Sequence, residues 1–368
     1  MNEESLKKED DAYREYESLE KKVEKFGKRK KETMGRVQYV LERQVEYRKT
    51  GRKKIIDAAY EAERCGSWLT FRYFYTAGKT KLQGGMFCHK PMLCGVCAII
   101  RTARMLRAYA KKFKQVLKDN PNLKVFFITT TVKNGEDLLE RFEHLRSNKR
   151  IMVNRRRKAK NNQRAIKTMF MEIEGAVWSY EMTNIGNGWH PHDHMATLVN
   201  KKIDVNKFRE KYRSEWNKLT GDSYQINVQE ITNEDDMLKA LIETFKYSIK
   251  MNDMGVEKQI EAFEKLSRKR MVESCGILRG VKIDSALDDE IEDEDLLPYV
   301  DLVYRYAKDQ GYEFIKSMDQ NETKESLKKY DEEMKRQKEV VLENEAKRAK
   351  EKGIKVMRYK LIVDNERN

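Results

Sequence analysis

Three of the chain's five histidines fall within five residues, in His190-Pro191-His192-Asp193-His194, directly ahead of the apolar run Met195-Ala196-Thr197-Leu198-Val199. On an extended strand, side chains two apart share a face. This order therefore presents His192 and His194, with His190 able to join them, on one side of a sheet, where imidazoles can converge on one metal ion. The plainer alternative is a solvent-exposed hairpin end that happens to carry imidazoles. Asn184-Ile185-Gly186-Asn187-Gly188 is a turn suited to a hairpin, and its preceding arm carries Glu181. That carboxylate would complete a mixed nitrogen and oxygen set compatible with Mg²⁺ or Mn²⁺. A metal there would polarise a phosphate.

Around the hairpin, strands and helices alternate. Val125 to Val132 is β-branched and aromatic, as a central strand should be, and helical sequence follows from Glu136. Strands are expected in Met169 to Thr183, Trp189 to Val199 and Tyr224 to Val228, with helices at Val205 to Leu219 and about Asp235 to Lys250. The fold class is α+β, a central antiparallel β-sheet flanked by helices. Four segments are expected: a charged helical arm over 1–60, a cysteine-rich zinc-binding region over 61–118, the α+β catalytic domain over 119–255, and a charged helical C-terminal region over 256–368. The arm either extends the fold as a solvated helix or grips DNA or a second copy. The acidic run from Asp288 to Asp295 reads as a solvated loop.

Cys94-Gly95-Val96-Cys97 has the spacing of a metal knuckle, and Cys65 and Cys88 supply two further thiolates. Four sulfurs suit tetrahedral Zn²⁺ in a closed, structural site. The alternative is buried free cysteines. Cys275 stands apart, and His89 is a substitute ligand that does not displace the four-sulfur reading.

In Glu243-Thr244-Phe245-Lys246-Tyr247-Ser248-Ile249-Lys250, residues 243, 247 and 250 lie on one helical face. That face carries an acid, a phenol and an ammonium. A tyrosine nucleophile needs help, because its pKa is near 10; a metal or Lys250 would favour the phenolate and stabilise charge developing on phosphorus. Glu243 could activate a water. Taken alone, such a face is ordinary helix surface.

Together, Phe127-Ile128-Thr129-Thr130-Thr131-Val132-Lys133-Asn134, the stretch Trp189 to Val199 and the stretch Glu243 to Lys250 resemble, in order and spacing, the motifs of the rolling-circle plasmid replication initiators of the HUH endonuclease class, one-tyrosine group. The segment Phe87 to Cys97, with Cys65-Gly66 upstream, is similar to the cysteine-rich region of that group. The likeness covers roughly residues 60 to 255. It implies that residues 119–255 are an HUH endonuclease domain, that His192 and His194 are the metal pair with Glu181 and His190 as further ligands, that Tyr247 is the nucleophile, and that Glu243 is the base for a terminating water. Glu243 occupies the place where two-tyrosine relatives have a second tyrosine, which implies one covalent transfer followed by hydrolysis. Asp193 departs from the pattern, since the family usually has an apolar residue there. It would face away from the imidazoles, at a wet sheet edge, or approach the metal on an irregular strand.

The 76 Lys and Arg against 61 Asp and Glu leave a net charge of +15, which favours a polyanionic partner through counterion release. Arg101 and Arg104, and the stretch Arg155-Arg156-Arg157-Lys158, are the candidates to hold DNA phosphates. The resemblance implies origin DNA, single-stranded or in a hairpin at the nick site, as substrate, and a host helicase with the replication machinery as partners; a homo-oligomer stays open. With no apolar run long enough for a bilayer and no secretory signal layout, a cytoplasmic protein with no membrane partner is expected. Two other classes compete: another HUH nickase such as a transposase or relaxase, and a non-enzymatic zinc-containing DNA-binding regulator.

Overall fold

The structure, a computed structural model, describes residues 18–319 apart from 165, 185, 224, 247–253, 286, 288–297 and 309. Helix α1 (Leu19–Glu42) starts at Ser18, whose hydroxyl accepts from the Lys21 N–H, and is followed by α2 (Gln44–Lys49) and α3 (Lys53–Arg64). A hairpin of β1 (Trp68–Phe74) and β2 (Lys79–Gly85) leads through the cysteine segment into α4 (Gly95–Asp119). The next elements are β3 (Leu123–Thr131), α5 (Leu138–Lys160), β4 (Ile173–Thr183), β5 (His190–Asn200), α6 (Val205–Thr220), β6 (Ile226–Ile231) and α7 (Glu234–Phe245). Last come α8 (Val256–Leu266), β7 (Val272–Gly276), β8 (Val300–Ala307) and β9 (Gly311–Met318).

Two antiparallel sheets result. One has five strands in the order β6-β3-β5-β4-β7, the other four in the order β2-β1-β8-β9. This is the mixed α+β architecture expected, with helices on both faces of the larger sheet. On one face Val125, Val177, Ala196 and Leu198 pack with Met105, Tyr109 and Phe113 of α4 and with Met237, Leu241 and Phe245 of α7. On the other, Phe126, Tyr180 and Met195 belong to the core that includes Phe142 and Leu145 of α5 and Phe208, Tyr212 and Trp216 of α6.

The helical expectation for residues 256–368 is corrected over the described part, which ends at residue 319. Only Val256–Leu266 is a described helix there, and three strands follow it. β7 extends the larger sheet alongside β4, while β8 pairs with β1, Trp68 lying opposite Arg305 and Tyr73 opposite Val300. The reason is in the side chains: Val300, Leu302, Tyr304 and Tyr306 alternate with other residues at the strand period, and β-branched and aromatic residues favour a pleated surface. The acidic run and residues 320–368 lie outside the described residues.

Within 1–60 the described residues are helical from Leu19, and α1 is built into the core. Its Phe26, Val37 and Val40 are buried with Leu69, Phe71 and Leu82 of the smaller sheet.

Asp193 is neither at a wet edge nor near the imidazoles. It is fully buried on the α5 and α6 face of β5, where Lys149 Nζ of α5 lies 3.0 Å from Asp193 Oδ1. Thr130, opposite it on β3, donates its hydroxyl to Asp193 Oδ2. Lys149 also donates to Thr130 Oγ1 and to the Tyr212 hydroxyl, each at 3.0 Å, and its ammonium sits over the Trp216 ring at 5.0 Å from the centroid. Burial pulls the Lys149 pKa down and the Asp193 carboxylate opposes it. Removing one partner strands a charge in the core, at a cost of about 3–5 kcal/mol, whereas an apolar pair of similar volume is often tolerated. Lys149→Met is therefore expected to lose about 3–5 kcal/mol in urea unfolding, and Lys149→Met with Asp193→Leu to recover most of it. A single variant as stable as the wild type would contradict the pairing.

Candidate metal centres

Strand β5 lies between β3 and β4, so each histidine has a neighbour on both sides. His194 is opposite Thr129 and Ser179; His192 is opposite Thr131 and Glu181. Cross-strand partners share a face, and this register sets the Glu181 carboxylate beside both imidazoles. Glu181 Oε2 is 3.3 Å from His192 Nε2 and 3.3 Å from His194 Nε2. One ligand atom from each of the three lies within 4.8 Å of the others. All three side chains are largely buried, and His192 Nδ1 is buried with no hydrogen-bond partner among the described residues. Two imidazole nitrogens and a carboxylate oxygen aimed at one point are a donor set that a divalent cation fits.

The surroundings orient these groups. Thr129 Oγ1 lies 3.3 Å from His194 Nδ1, and the Phe127 ring stacks parallel to the His194 imidazole, 5.7 Å between centroids. A hydrogen bond at one ring nitrogen fixes which nitrogen is left to face a metal. His190 is placed differently: its Nδ1 is 2.7 Å from Asn134 Oδ1, and burial followed by the neighbouring His192 lowers its pKa. It stands outside the close trio. From α7, Glu243 Oε1 reaches within 3.8 Å of His194 Nε2, and Lys246 Nζ lies 3.8 Å from Glu243 Oε2. Tyr247 and Lys250 lie outside the described residues.

The second cluster is made of four cysteines. Cys65 Sγ is 3.5 Å from Cys97 Sγ and 3.4 Å from Cys94 Sγ, and Cys88 Sγ is 3.7 Å from Cys97 Sγ. The four sulfurs lie within 4.8 Å of one another, a set that could hold a metal ion, and His89 has no place in it. Hydrogen bonds among the sulfurs pull Cys94 and Cys97 below the usual thiol range and push Cys65 above it. Helix α1 holds the cluster's frame. Lys30, 1% exposed, donates to the carbonyls of Ala62, Glu63 and Cys65 at 3.2, 2.5 and 2.7 Å, and Thr33 Oγ1 accepts from the Gly95 N–H at 2.9 Å. Burial lowers the Lys30 pKa against the pull of the nearby thiolates, Cys94 first. Gly66 follows Cys65 at φ +65°, and a Cβ there would meet the Tyr312 hydroxyl at 2.8 Å. That hydroxyl donates to the Gly66 carbonyl.

The basic residues divide. Arg156 turns inward and donates to the carbonyls of Ile173 and Glu174 at 3.1 and 3.2 Å, and Arg155 pairs with Glu215 at 3.2 Å. Both contacts tie α5 to its neighbours. Arg157 and Lys158 are exposed, while Arg101 and Arg104 of α4 are half-buried. Sequence reasoning missed Lys149 and Lys246 as functional or supporting residues. It also gave no separate roles to Phe127, Thr129 and Asn134, although all three lie in the first motif of the resemblance.

An antiparallel α+β protein with a His, His, Glu centre on its sheet and a four-cysteine cluster beside it is the class that fold and site define. The chain belongs to the replication protein family, whose model matches residues 79–330. It is similar to the protein described as "Protein rep" from Streptococcus pneumoniae serotype 2 (strain D39 / NCTC 7466), 27% identical over 237 residues, covering 60% of this chain and 69% of that one. No solved structure matches. The family match takes in the histidine strand and three of the clustered cysteines but begins beyond Cys65 and α1 to α3. No described helix is long and apolar enough to cross a membrane.

Lys30 offers a direct check on the frame of the cysteine cluster. Lys30→Met removes the donor of three backbone acceptors, and leaving buried acceptors unsatisfied costs about 1–3 kcal/mol. Urea unfolding should register a loss of that size, and an unchanged midpoint would mean the ammonium is not seated on those carbonyls.

Proposed function

We propose that the chain initiates rolling-circle replication of a plasmid by nicking one strand of origin DNA with Tyr247. The observation that carries this reading is the convergence of Glu181, His192 and His194 on one point, with Glu243 brought to the same place by α7. Tyr247 follows two residues after the end of that helix at Phe245. Membership of the replication protein family supplies the biological context.

The Tyr247 hydroxyl gives its proton to solvent as its oxygen attacks the scissile phosphorus, and the bond to the 3′ oxygen breaks with its electron pair. That oxygen takes a proton and becomes the 3′-hydroxyl primer, while the 5′ phosphate stays on the tyrosine. Lys250 favours the phenolate. A divalent cation, Mg²⁺ or Mn²⁺, held by His192, His194 and Glu181 would polarise the phosphate. Glu243 takes a proton from the water whose oxygen attacks the phosphorus at the terminating cut, the 3′ oxygen there leaving and taking a proton to become a hydroxyl, so the cycle ends after one round. The four cysteines would hold a structural Zn²⁺. A host helicase unwinds the duplex and the replication machinery extends the 3′ end.

On supercoiled origin plasmid with Mn²⁺, the wild type is expected to form a covalent 5′ adduct and Tyr247→Phe none. Adducts from the variant would assign the nucleophile elsewhere, and binding without cleavage by the wild type would favour a regulator. Glu243→Ala is expected to nick but to slow terminating release by about 10²–10⁴-fold, the usual contribution of general base catalysis. Single-round products at the normal rate would remove that role.

A further inference from the structure

A groove of about 1190 Å³ runs between α4, the C-terminal half of α5 and the segment around β7, with Phe87 and Cys97 of the cysteine region also on its wall. Eight cationic side chains line it against two carboxylates, Glu273 and Asp284. Arg101 and Arg104 come from α4, Arg150 and Arg157 from α5, and Arg270 and Arg279 from either side of β7.

Elsewhere in the fold arginines are commonly neutralised: Arg29 by Glu32, Arg52 by Glu264, Arg72 by Asp301, Arg146 by Glu273. In the groove, Arg150, Arg157, Arg270 and Arg279 are exposed and have no carboxylate partner among the described residues. Mutual repulsion among such charges is a standing cost that a polyanion would relieve. One end of the groove also abuts the helix of the proposed nicking site. Tyr109, on its wall, packs its ring against Phe245 at 5.2 Å, and Thr102, next to Arg101, donates its hydroxyl to the Phe245 carbonyl at 3.1 Å.

We propose that this groove is a phosphodiester track that holds single-stranded DNA beside the cut, reading the backbone and not the bases. The inference rests on the nicking reading for its biological purpose, but not for its chemistry. A concavity of this size takes one strand, while a duplex would meet only its rim. Guanidiniums are suited to phosphate through their fixed fork of donors, and such contacts position a strand without reading its sequence.

The test uses the full chain and a fluorescein-labelled oligo-dT that contains no origin sequence, with binding read by anisotropy over a salt series. In the groove variant, Arg150, Arg157, Arg270 and Arg279 are all changed to Gln. In the control, four exposed lysines away from the groove, Lys201, Lys202, Lys207 and Lys211, are changed to Gln. Each phosphate contact contributes about 0.7 to the salt slope of single-strand binding. The groove variant should lose at least about tenfold in affinity, with the slope reduced by about 3, and the control should stay within about twofold. A groove variant that binds oligo-dT as the wild type does would overturn the proposal, and so would one that loses affinity only for a duplex of equal length. Normal nicking of origin DNA with groove-independent binding would sink the groove alone. Groove-dependent binding with no nicking would sink the nicking reading and leave the groove standing.

Discussion

The buried pair of Lys149 and Asp193 fixes the strand on which the larger sheet depends. Because side chains alternate along β5, the residue that binds Lys149 on one face determines that His192 and His194 lie on the other. A slip of one residue would put two imidazoles into the core packed by Phe142 and Tyr212 and would leave the Asp193 carboxylate among Met105, Tyr109 and Leu241. Either outcome buries polar groups without partners, so the pairing makes the register all but compulsory. Glu181 gains from the same constraint, since it is opposite His192 in the antiparallel ladder and points where His192 points.

The second support is helix α1, which ties together parts that are distant in sequence. Lys30 holds the end of α3 at Cys65, Thr33 receives the first N–H of α4, and Arg36 donates to the Leu93 carbonyl and to Gln259 of α8. The four cysteines are thus brought together by a frame from three helices and a hairpin. Tyr312 of β9 adds the far end of the described chain to the same frame. The cluster and the histidine centre are linked through α4, which follows directly on Cys94 and packs its later turns against α7.

Much of this was legible in the chain itself. The His-x-His-x-His alternation and the turn after Thr183 were enough to place His192, His194 and Glu181 on one face, because strand period and hairpin geometry are local properties. The four cysteines were legible from chemistry and spacing. What was not legible depended on partners far away along the chain. Asp193 looked anomalous because Lys149 lies on a helix before the hairpin begins, and Lys30 looked like one more lysine in a charged helix until it met the Cys65 carbonyl. Arg155 and Arg156 read as a basic patch, yet one is neutralised by Glu215 and the other caps strand carbonyls. The strands β8 and β9 carried the right alternation, but β1, the partner of β8, lies far earlier in the chain, Tyr73 opposite Val300, and no spacing rule points to it.

One carboxylate and two imidazoles on adjacent strands form a set that could hold a metal ion. Electron paramagnetic resonance of the full chain titrated with Mn²⁺, with detection of coupling to nitrogen, addresses it most directly. The prediction is a bound ion coupled to histidine nitrogen in the wild type, with that coupling reduced in His192→Ala and in His194→Ala and retained in His190→Ala. Bound Mn²⁺ with no nitrogen coupling, or coupling that survives the loss of both His192 and His194, would contradict it.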